Sequence, residues 1–248
     1  MSQTETKAIA TDKVDALGPE YTINGLKWFS SAADGEVALA LARTGDPKDG
    51  SRSLSLFLIP TRSPLLQDRS TPVASPISNG VYIHRLKNKI GTHILPTAEL
   101  SLESSKAFLV GPLNQGVKHI VPMLNITRIY SSMGSLGGLR ACLSIAKSFA
   151  EGRAIEGGRR LLKDTPLHVA QLASISLIYR SLAHFAFGVV HLLGKVECDT
   201  ATVSERHRLR MLTPTLKAFA AEKACAAMEE AMVALGGAGY MEENNIGR

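Results

Sequence analysis

The sequence predicts an α+β fold in which a small β-barrel or sandwich is followed by an antiparallel bundle of long helices. Three observations carry this expectation. Residues 21–111 show short apolar runs broken by turn signals, residues 115–236 show apolar residues at helical spacing, and the change of period falls at Gly111-Pro112. The 248 residues and 45% apolar content suffice for one large core or two small ones. The expected domains are therefore 1–112 and 113–248.

In the strand half, Tyr21-Thr22-Ile23 and Leu26-Lys27-Trp28-Phe29 flank Asn24-Gly25. That pair predicts a hairpin, because both residues tolerate positive φ. Residues 37–42 and 54–59 read as further strands, the first ending at Arg43-Thr44-Gly45-Asp46-Pro47 and the second at Pro60. In residues 97–103, Ala98, Leu100 and Leu102 alternate with Thr97, Glu99, Ser101 and Glu103, so one face is expected to be buried and the other wet. The Ser- and Pro-rich stretch 62–79 reads as a loop.

In the helical half, Ile120, Met123, Leu124, Met133, Leu136, Leu139, Leu143 and Ile145 are spaced for one face of one long helix, or two, over 115–152. Gly137-Gly138 offers a close-packing point. A second helix is expected from Pro166, a residue favoured at helix starts, to about Leu193-Gly194. A third is expected to begin near Pro214, run through Ala218, Ala221, Ala224, Met228 and Met232, and stop at Gly236-Gly237. Residues 166–193 are apolar enough to raise a membrane span. Gln171, Arg180, His168, His184 and His191 are spread through them, however, and charge in mid-span is costly in lipid, so a helix buried in a bundle is expected and no membrane partner. His184 and His191, seven apart with no third ligand, read as core histidines rather than a metal site.

Composition excludes a disordered acidic tail, with mean hydropathy +0.06 and 5% aromatic residues. The net charge of +6 is densest at Arg159, Arg160 and Lys163, and at Arg206, His207, Arg208 and Arg210. Such patches are solvated helix ends, or they meet a phosphate, a nucleotide or a nucleic acid backbone, and charge alone does not choose. Without a groove-reading motif, any nucleic acid contact is expected to be non-specific. Cys142, Cys198 and Cys225 are far apart and odd in number, as for reduced thiols. The first ten residues lack a basic start followed by an apolar run, and an intracellular location is expected.

The run Tyr21-Thr22-Ile23-Asn24-Gly25-Leu26-Lys27-Trp28-Phe29-Ser30-Ser31 is similar to the acyl-CoA dehydrogenase signature in which a Tyr/Asn-Gly segment leads to Lys-Trp, a bulky residue and Ser or Thr. Ala40-Leu41-Ala42-Arg43-Thr44, Leu86-Lys87-Asn88-Lys89-Ile90-Gly91, Pro96-Thr97-Ala98-Glu99-Leu100 and Val110-Gly111 follow in that family's order. Thr127-Arg128, Arg153 with Gly157 four residues later, and Leu235-Gly236-Gly237-Ala238-Gly239-Tyr240 continue it. Each motif is short. Their order across nearly the whole chain makes the sequence resemble this family, and Pro166-Leu167-His168 leans toward its alkylation-response branch.

The resemblance implies an FAD cofactor held between the β-domain and the helices, and an acyl-CoA substrate that loses an α-proton to a glutamate and a β-hydride to the flavin. It places Trp28, Phe29 and Ser30 beside the flavin ring, Arg153 at a pyrophosphate with Gly157 close by, and Gly236 and Gly237 where backbone approaches the dinucleotide. Asn125 and Arg128 fall where the family lines its acyl-CoA pocket. Read without the resemblance, Trp28 is a large strand residue filling a barrel end, and Arg153 is a solvated helix-end arginine. Gly236-Gly237 is then a helix C-cap, and Asn125 with Arg128 a helix-surface pair.

The sequence departs from the family at three of these places. Glu156 stands where the family usually has an aromatic, and Val233 and Pro166 stand where it has glutamines. No catalytic residue is assigned: the family's catalytic Glu-Gly segment and its Gly-Ser-Asp strand are not found, and the residue before Arg128, where a minority of members place the base, is Thr127. The expectation is a piece of the family fold, covering the middle domain and part of the C-terminal helical domain, from a homo-oligomeric flavin oxidoreductase. The alternatives are a non-catalytic partner subunit and a DNA-associated alkylation-response protein.

Overall fold

Strands dominate from Lys7 to Val110, and helices thereafter. The computed structural model describes residues 3–63, 77–244 and 246, and divides into two units, Met1–Pro122 and Met123–Arg248. Most of the loop expected at 62–79 therefore lies outside the described residues, as do Asn245, Gly247 and Arg248.

The first unit contains β1 (Lys7–Asp15), β2 (Gly18–Ser31), β3 (Val37–Arg43), β4 (Leu54–Pro60), the two-residue pair β5 (Arg62–Ser63) and β6 (Ile77–Ser78), β7 (Val81–Leu86) and β8 (Thr97–Val110). The main sheet runs β2-β1-β3-β4-β8-β7, and β8 also pairs with β2. That second pairing closes the sheet on itself, so the strand half is a barrel with β7 attached along β8. Tyr21, Ile23, Ala42, Phe57, Ile59, Leu102 and Ala107 fill it. The Tyr21 and Phe57 rings meet edge to face, with centroids 5.0 Å apart.

Asn24-Gly25 does not turn the chain. β2 runs straight through it, and the hairpin lies between β1 and β2, where Asp15 pairs with Gly18. The register of β2 against β8 slips between Ile23 and Gly25, and the Asn24 carboxamide oxygen accepts from the Ser104 N–H at 2.8 Å. The extra residue of this β-bulge lies in β8, where Ser104 takes φ +52°, and Gly25 facing it on β2 uses its tolerance of positive φ, here +139°, without turning the chain. A Cβ on Gly25 would stand 2.7 Å from the Thr6 Cα, so the close passage of the Thr6 backbone also demands glycine.

The expected wet face of β8 is only partly wet. Glu103 is exposed, but Thr97 and Ser101 are buried at 1% and 6% exposure. β8 has neighbours along both edges, and the Lys89 side chain reaches across to donate to the Thr97 hydroxyl at 3.1 Å.

Three long helices follow: α1 (Gly116–Gly152), α2 (Pro166–Glu197) and α3 (Val203–Val233). α1 is one helix, not two, and passes through Pro122, so the division between the units falls inside it. The bundle core is built from Leu136, Leu139 and Leu143 of α1, Leu172, Leu182 and Val189 of α2, and Leu216 with a run of alanines, Ala220, Ala224, Ala227 and Ala231, of α3. The alanines recur at steps of four, three and four, which keeps a small-residue stripe toward the core. Gly138 is a close-packing point, a Cβ there meeting the Met228 sulfur at 3.3 Å; Gly137 faces open space.

α3 begins eleven residues before Pro214, at Val203. Its start is set by a capping box: the Thr202 hydroxyl accepts from the Glu205 N–H at 3.2 Å while the Glu205 carboxylate accepts from the Thr202 N–H at 2.8 Å. Pro214 is carried inside the helix. Thr202-Val203-Ser204-Glu205 carries the start signal in the sequence, and this cap, not Pro214, fixes the first turn.

His184 and His191 are not core residues. Both are exposed, because Leu182, Ala186 and Val189 take the core stripe and a step of two residues turns about 200° away from it. α2 is also less buried than expected. It is long and apolar enough to cross a membrane by length and composition, and only 22% of its most apolar window is buried.

Candidate nucleotide cavity

The end of α1, the start of α2 and the turn after α3 enclose a cavity of about 510 Å³ in the second unit. Phe149, Arg153, His168, Gln171, Gly236 and Gly237 are among its lining residues. Arg153 follows α1 directly and its N–H still bonds to the Phe149 carbonyl at 2.9 Å. The chain then forms a short hairpin, β9 (Ala154–Ile155) with β10 (Arg160–Leu161), whose turn takes φ of 68° at Gly157 and 92° at Gly158. The Leu162 N–H returns to the Arg153 carbonyl at 2.8 Å, which brings the start of α2 beside Arg153. On the far wall, Gly236 has φ +58°, and a Cβ on Gly239 would lie 2.0 Å from the Met232 carbonyl oxygen. Only glycine allows this turn to close so tightly.

Among the described residues, the cavity lining holds no aspartate or glutamate. Among the described residues no hydrogen bond or ion pair engages the Arg153 guanidinium. The Gln171 amide is already committed, donating to the Glu230 carboxylate at 2.9 Å. The His168 Nε2 is sealed from solvent and has no partner. α2 begins at Thr165 without a side-chain cap and without an acid in its first turn. A guanidinium, an unpaired imidazole nitrogen and an uncapped helix start favour an anion, and the residues present fit the diphosphate of a dinucleotide.

Of the residues singled out in the sequence, Arg153, Gly236 and Gly237 converge on this cavity. Gly157 sits in the adjoining hairpin turn and does not line it. Asn125 and Arg128 lie on α1 as a half-buried pair, Arg128 Nη1 donating to Asn125 Oδ1 at 3.2 Å. Thr127 between them is exposed, and its hydroxyl donates back to the Leu124 carbonyl at 3.0 Å.

Trp28, Phe29 and Ser30 belong to the first unit. The β2 register against β8 slips between Lys27 and Ser30, and this second bulge turns Trp28 and Phe29 outward, 70% and 58% exposed. Trp28 therefore does not fill the barrel. Ser30 is half-buried and pairs with Ala98. Sequence reading missed two groups here. Lys87 lies 3.4 Å over the Trp28 ring and is ion-paired with Glu99, whose carboxyl is held below its usual range by hydrogen bonds from Lys87 and then Arg85. Lys27 points its ammonium at the Leu41 carbonyl, 2.6 Å away, and burial pushes it down to about 8. Neither has a signal in residue spacing, since both depend on how β2 meets β3 and β7 lies along β8.

Residues 2–105 match the family description "Acyl-CoA dehydrogenase, middle domain", and residues 114–248 match "Acyl-CoA dehydrogenase, C-terminal domain". The chain belongs to the acyl-CoA dehydrogenase family. It is 38% identical over 246 residues to acyl-CoA dehydrogenase family member 11 of Caenorhabditis elegans, covering 98% of this chain and 37% of that protein. AidB of Escherichia coli (strain K12), whose name places it among the acyl-CoA dehydrogenases, is 26% identical, over 92% of this chain and 38% of its own length. Among solved structures, the apo form of Bd2924 superimposes with a TM-score of 0.84 at 40% identity, covering 100% of this chain and 47% of that one. The C. elegans protein in complex with C11-CoA gives 0.82 at 38% identity, covering 98% and 39%. The chain thus spans about two fifths of the length of these two curated relatives, 37% and 38%.

Proposed function

We propose that this chain carries the middle and C-terminal part of an FAD site in an acyl-CoA dehydrogenase-like flavoprotein that oxidises the Cα–Cβ bond of acyl-CoA thioesters. The convergence of Arg153, Gly236 and Gly237 on one acid-free cavity carries the reading. Bound FAD supplies the hydride acceptor for that oxidation. Arg153 anchors phosphate, the Gly236-Gly237 turn lets backbone come close to the dinucleotide, and Trp28 with Phe29 offers an exposed aromatic surface for a planar ring. The half-buried Asn125–Arg128 pair is the candidate contact for the acyl-CoA, a ligand class present in the C. elegans relative's complex.

Self-association is part of the proposal. Leu177 and Phe187 on α2 are 66% and 59% exposed, which provides apolar surface for a second copy. Nucleic acid binding has less support, because Arg160 and Arg206 of the two basic patches are ion-paired with Glu156 and Asp199.

The test is calorimetric titration of FAD into the purified chain and its Arg153→Ala variant. Saturable binding that weakens at least tenfold in Arg153→Ala is expected. Equal affinity in the two proteins would remove the cavity from the cofactor site.

A further inference from the structure

We propose that His168 is a second contact, beside Arg153, for the diphosphate group of a nucleotide bound in the α1/α2/α3 cavity. The inference rests on reading that cavity as part of a dinucleotide site and adds a residue to it.

Among the described residues, two buried side-chain nitrogens lack a hydrogen-bond partner: His168 Nε2 and Arg160 Nε. Both lie in the stretch that runs from the end of α1 into the first turn of α2, next to the cavity. A buried polar group left unpaired costs about 1–3 kcal/mol, and folded proteins seldom leave one without a use. Arg160 keeps other contacts, donating to the Thr165 hydroxyl at 3.3 Å and pairing with Glu156 at 3.2 Å. The His168 Nε2 is therefore the orphan that belongs to the cavity wall.

The rest of the lining narrows the choice. Among the described lining residues there is no carboxylate, and with the Gln171 amide held by Glu230, Arg153 and His168 are the side-chain donors left to a ligand. Arg153 presents a planar fork suited to one phosphate, and the imidazole offers a single N–H suited to the next. His168 also stands in the first turn of α2, whose amide ends carry no side-chain cap, so its place already favours negative charge. His168 lines the cavity while its Nε2 is sealed from solvent, so contact with a diphosphate requires the ring to turn toward the ligand. A diphosphate answers all three features, whether it comes from FAD or from coenzyme A.

The experiment titrates ADP, FAD and coenzyme A separately into the full chain and into His168→Ala, His168→Gln, Arg153→Ala and the exposed-face control His184→Ala, by isothermal calorimetry. Losing a charge-assisted hydrogen bond should weaken ADP and FAD binding by about 10- to 100-fold in His168→Ala. His168→Gln, whose amide nitrogen can occupy the Nε2 position, should recover most of it, and His184→Ala should bind like the parent. Circular dichroism of each variant separates loss of binding from loss of helix. Unchanged affinity in His168→Ala, with Arg153→Ala weakened, overturns the role of His168 and leaves the dinucleotide reading standing. Binding of coenzyme A alone, still dependent on His168, supports the contact and replaces FAD as its ligand. A parent chain that binds none of the three probes overturns both.

Discussion

The Lys87 ammonium lies 3.4 Å from the centre of the Trp28 ring while the ring is 70% exposed. Trp28 is the chain's single tryptophan, so intrinsic emission reports this contact alone. Lys87→Met should shift the emission and cost about 0.5–1 kcal/mol, the usual worth of an exposed cation–π pair. If Trp28 meets the flavin, saturating FAD should quench its emission in the parent chain. Emission indifferent to FAD would remove Trp28 from the cofactor surface.

Glu205 closes the start of α3 and is pulled down to about 2, first by Lys195 and then by the Thr202 N–H and hydroxyl. A carboxyl depressed in the folded state stabilises above its unfolded value, near 4.5, and the benefit fades as pH falls toward about 2. Melting temperature should drop through that window in the parent and drop less in Glu205→Gln. Thr202→Ala should cost about 1 kcal/mol at neutral pH, the worth of an N-cap. Parallel acid limbs in parent and Glu205→Gln would refute the coupling.

Lys27 is lowered as well, but by burial that disfavours its charge rather than by partners that favour it. Its ammonium is pushed from 10.5 to about 8 by burial, so the unfolded chain holds a proton that the folded chain releases between those values. Stability should then rise with pH from about 8 to 10.5, by at most about 3 kcal/mol. Lys27→Met should abolish the rise and be more stable than the parent at pH 7. Identical pH profiles would show that the lysine stays charged in the folded protein.

The chain of residues 1–248 should not bleach flavin when mixed anaerobically with an acyl-CoA. Thr127 stands before Arg128, and its hydroxyl, turned back onto the Leu124 carbonyl, cannot serve as a carboxylate base. Absence of a general base alone removes a factor of about 10²–10⁴. Bleaching by any straight or branched acyl-CoA would require a base elsewhere, with Glu229, Glu230, Glu242 and Glu243 the residues to test.

Much of the fold was legible because it rests on local rules. The strands at Val37–Arg43 and Leu54–Pro60, the start of α2 at Pro166 and the alternation of Ala98, Leu100 and Leu102 all follow from side-chain period and proline geometry. Asn24-Gly25 and Pro214 were misread for a common reason. A residue that permits a turn or a helix start does not compel one, and at Gly25 the glycine serves the close passage of Thr6, nineteen positions away, in a strand that continues. His184 and His191 erred in the same direction, because a helix of mostly apolar residues does not announce which stripe its neighbours will cover.

By itself the sequence determined the family, the order of strands before helices, and the identity of Arg153, Gly236 and Gly237 as residues to watch, since each is carried by a motif a few residues long. Tertiary structure alone decided that these three line one cavity, that Gly157 does not, and that His168, with an unpaired nitrogen, lines it with them. The reason is physical: conformational preference and periodicity are properties of neighbours in the chain, whereas desolvation and an unmet hydrogen bond exist only once distant segments have closed around a group.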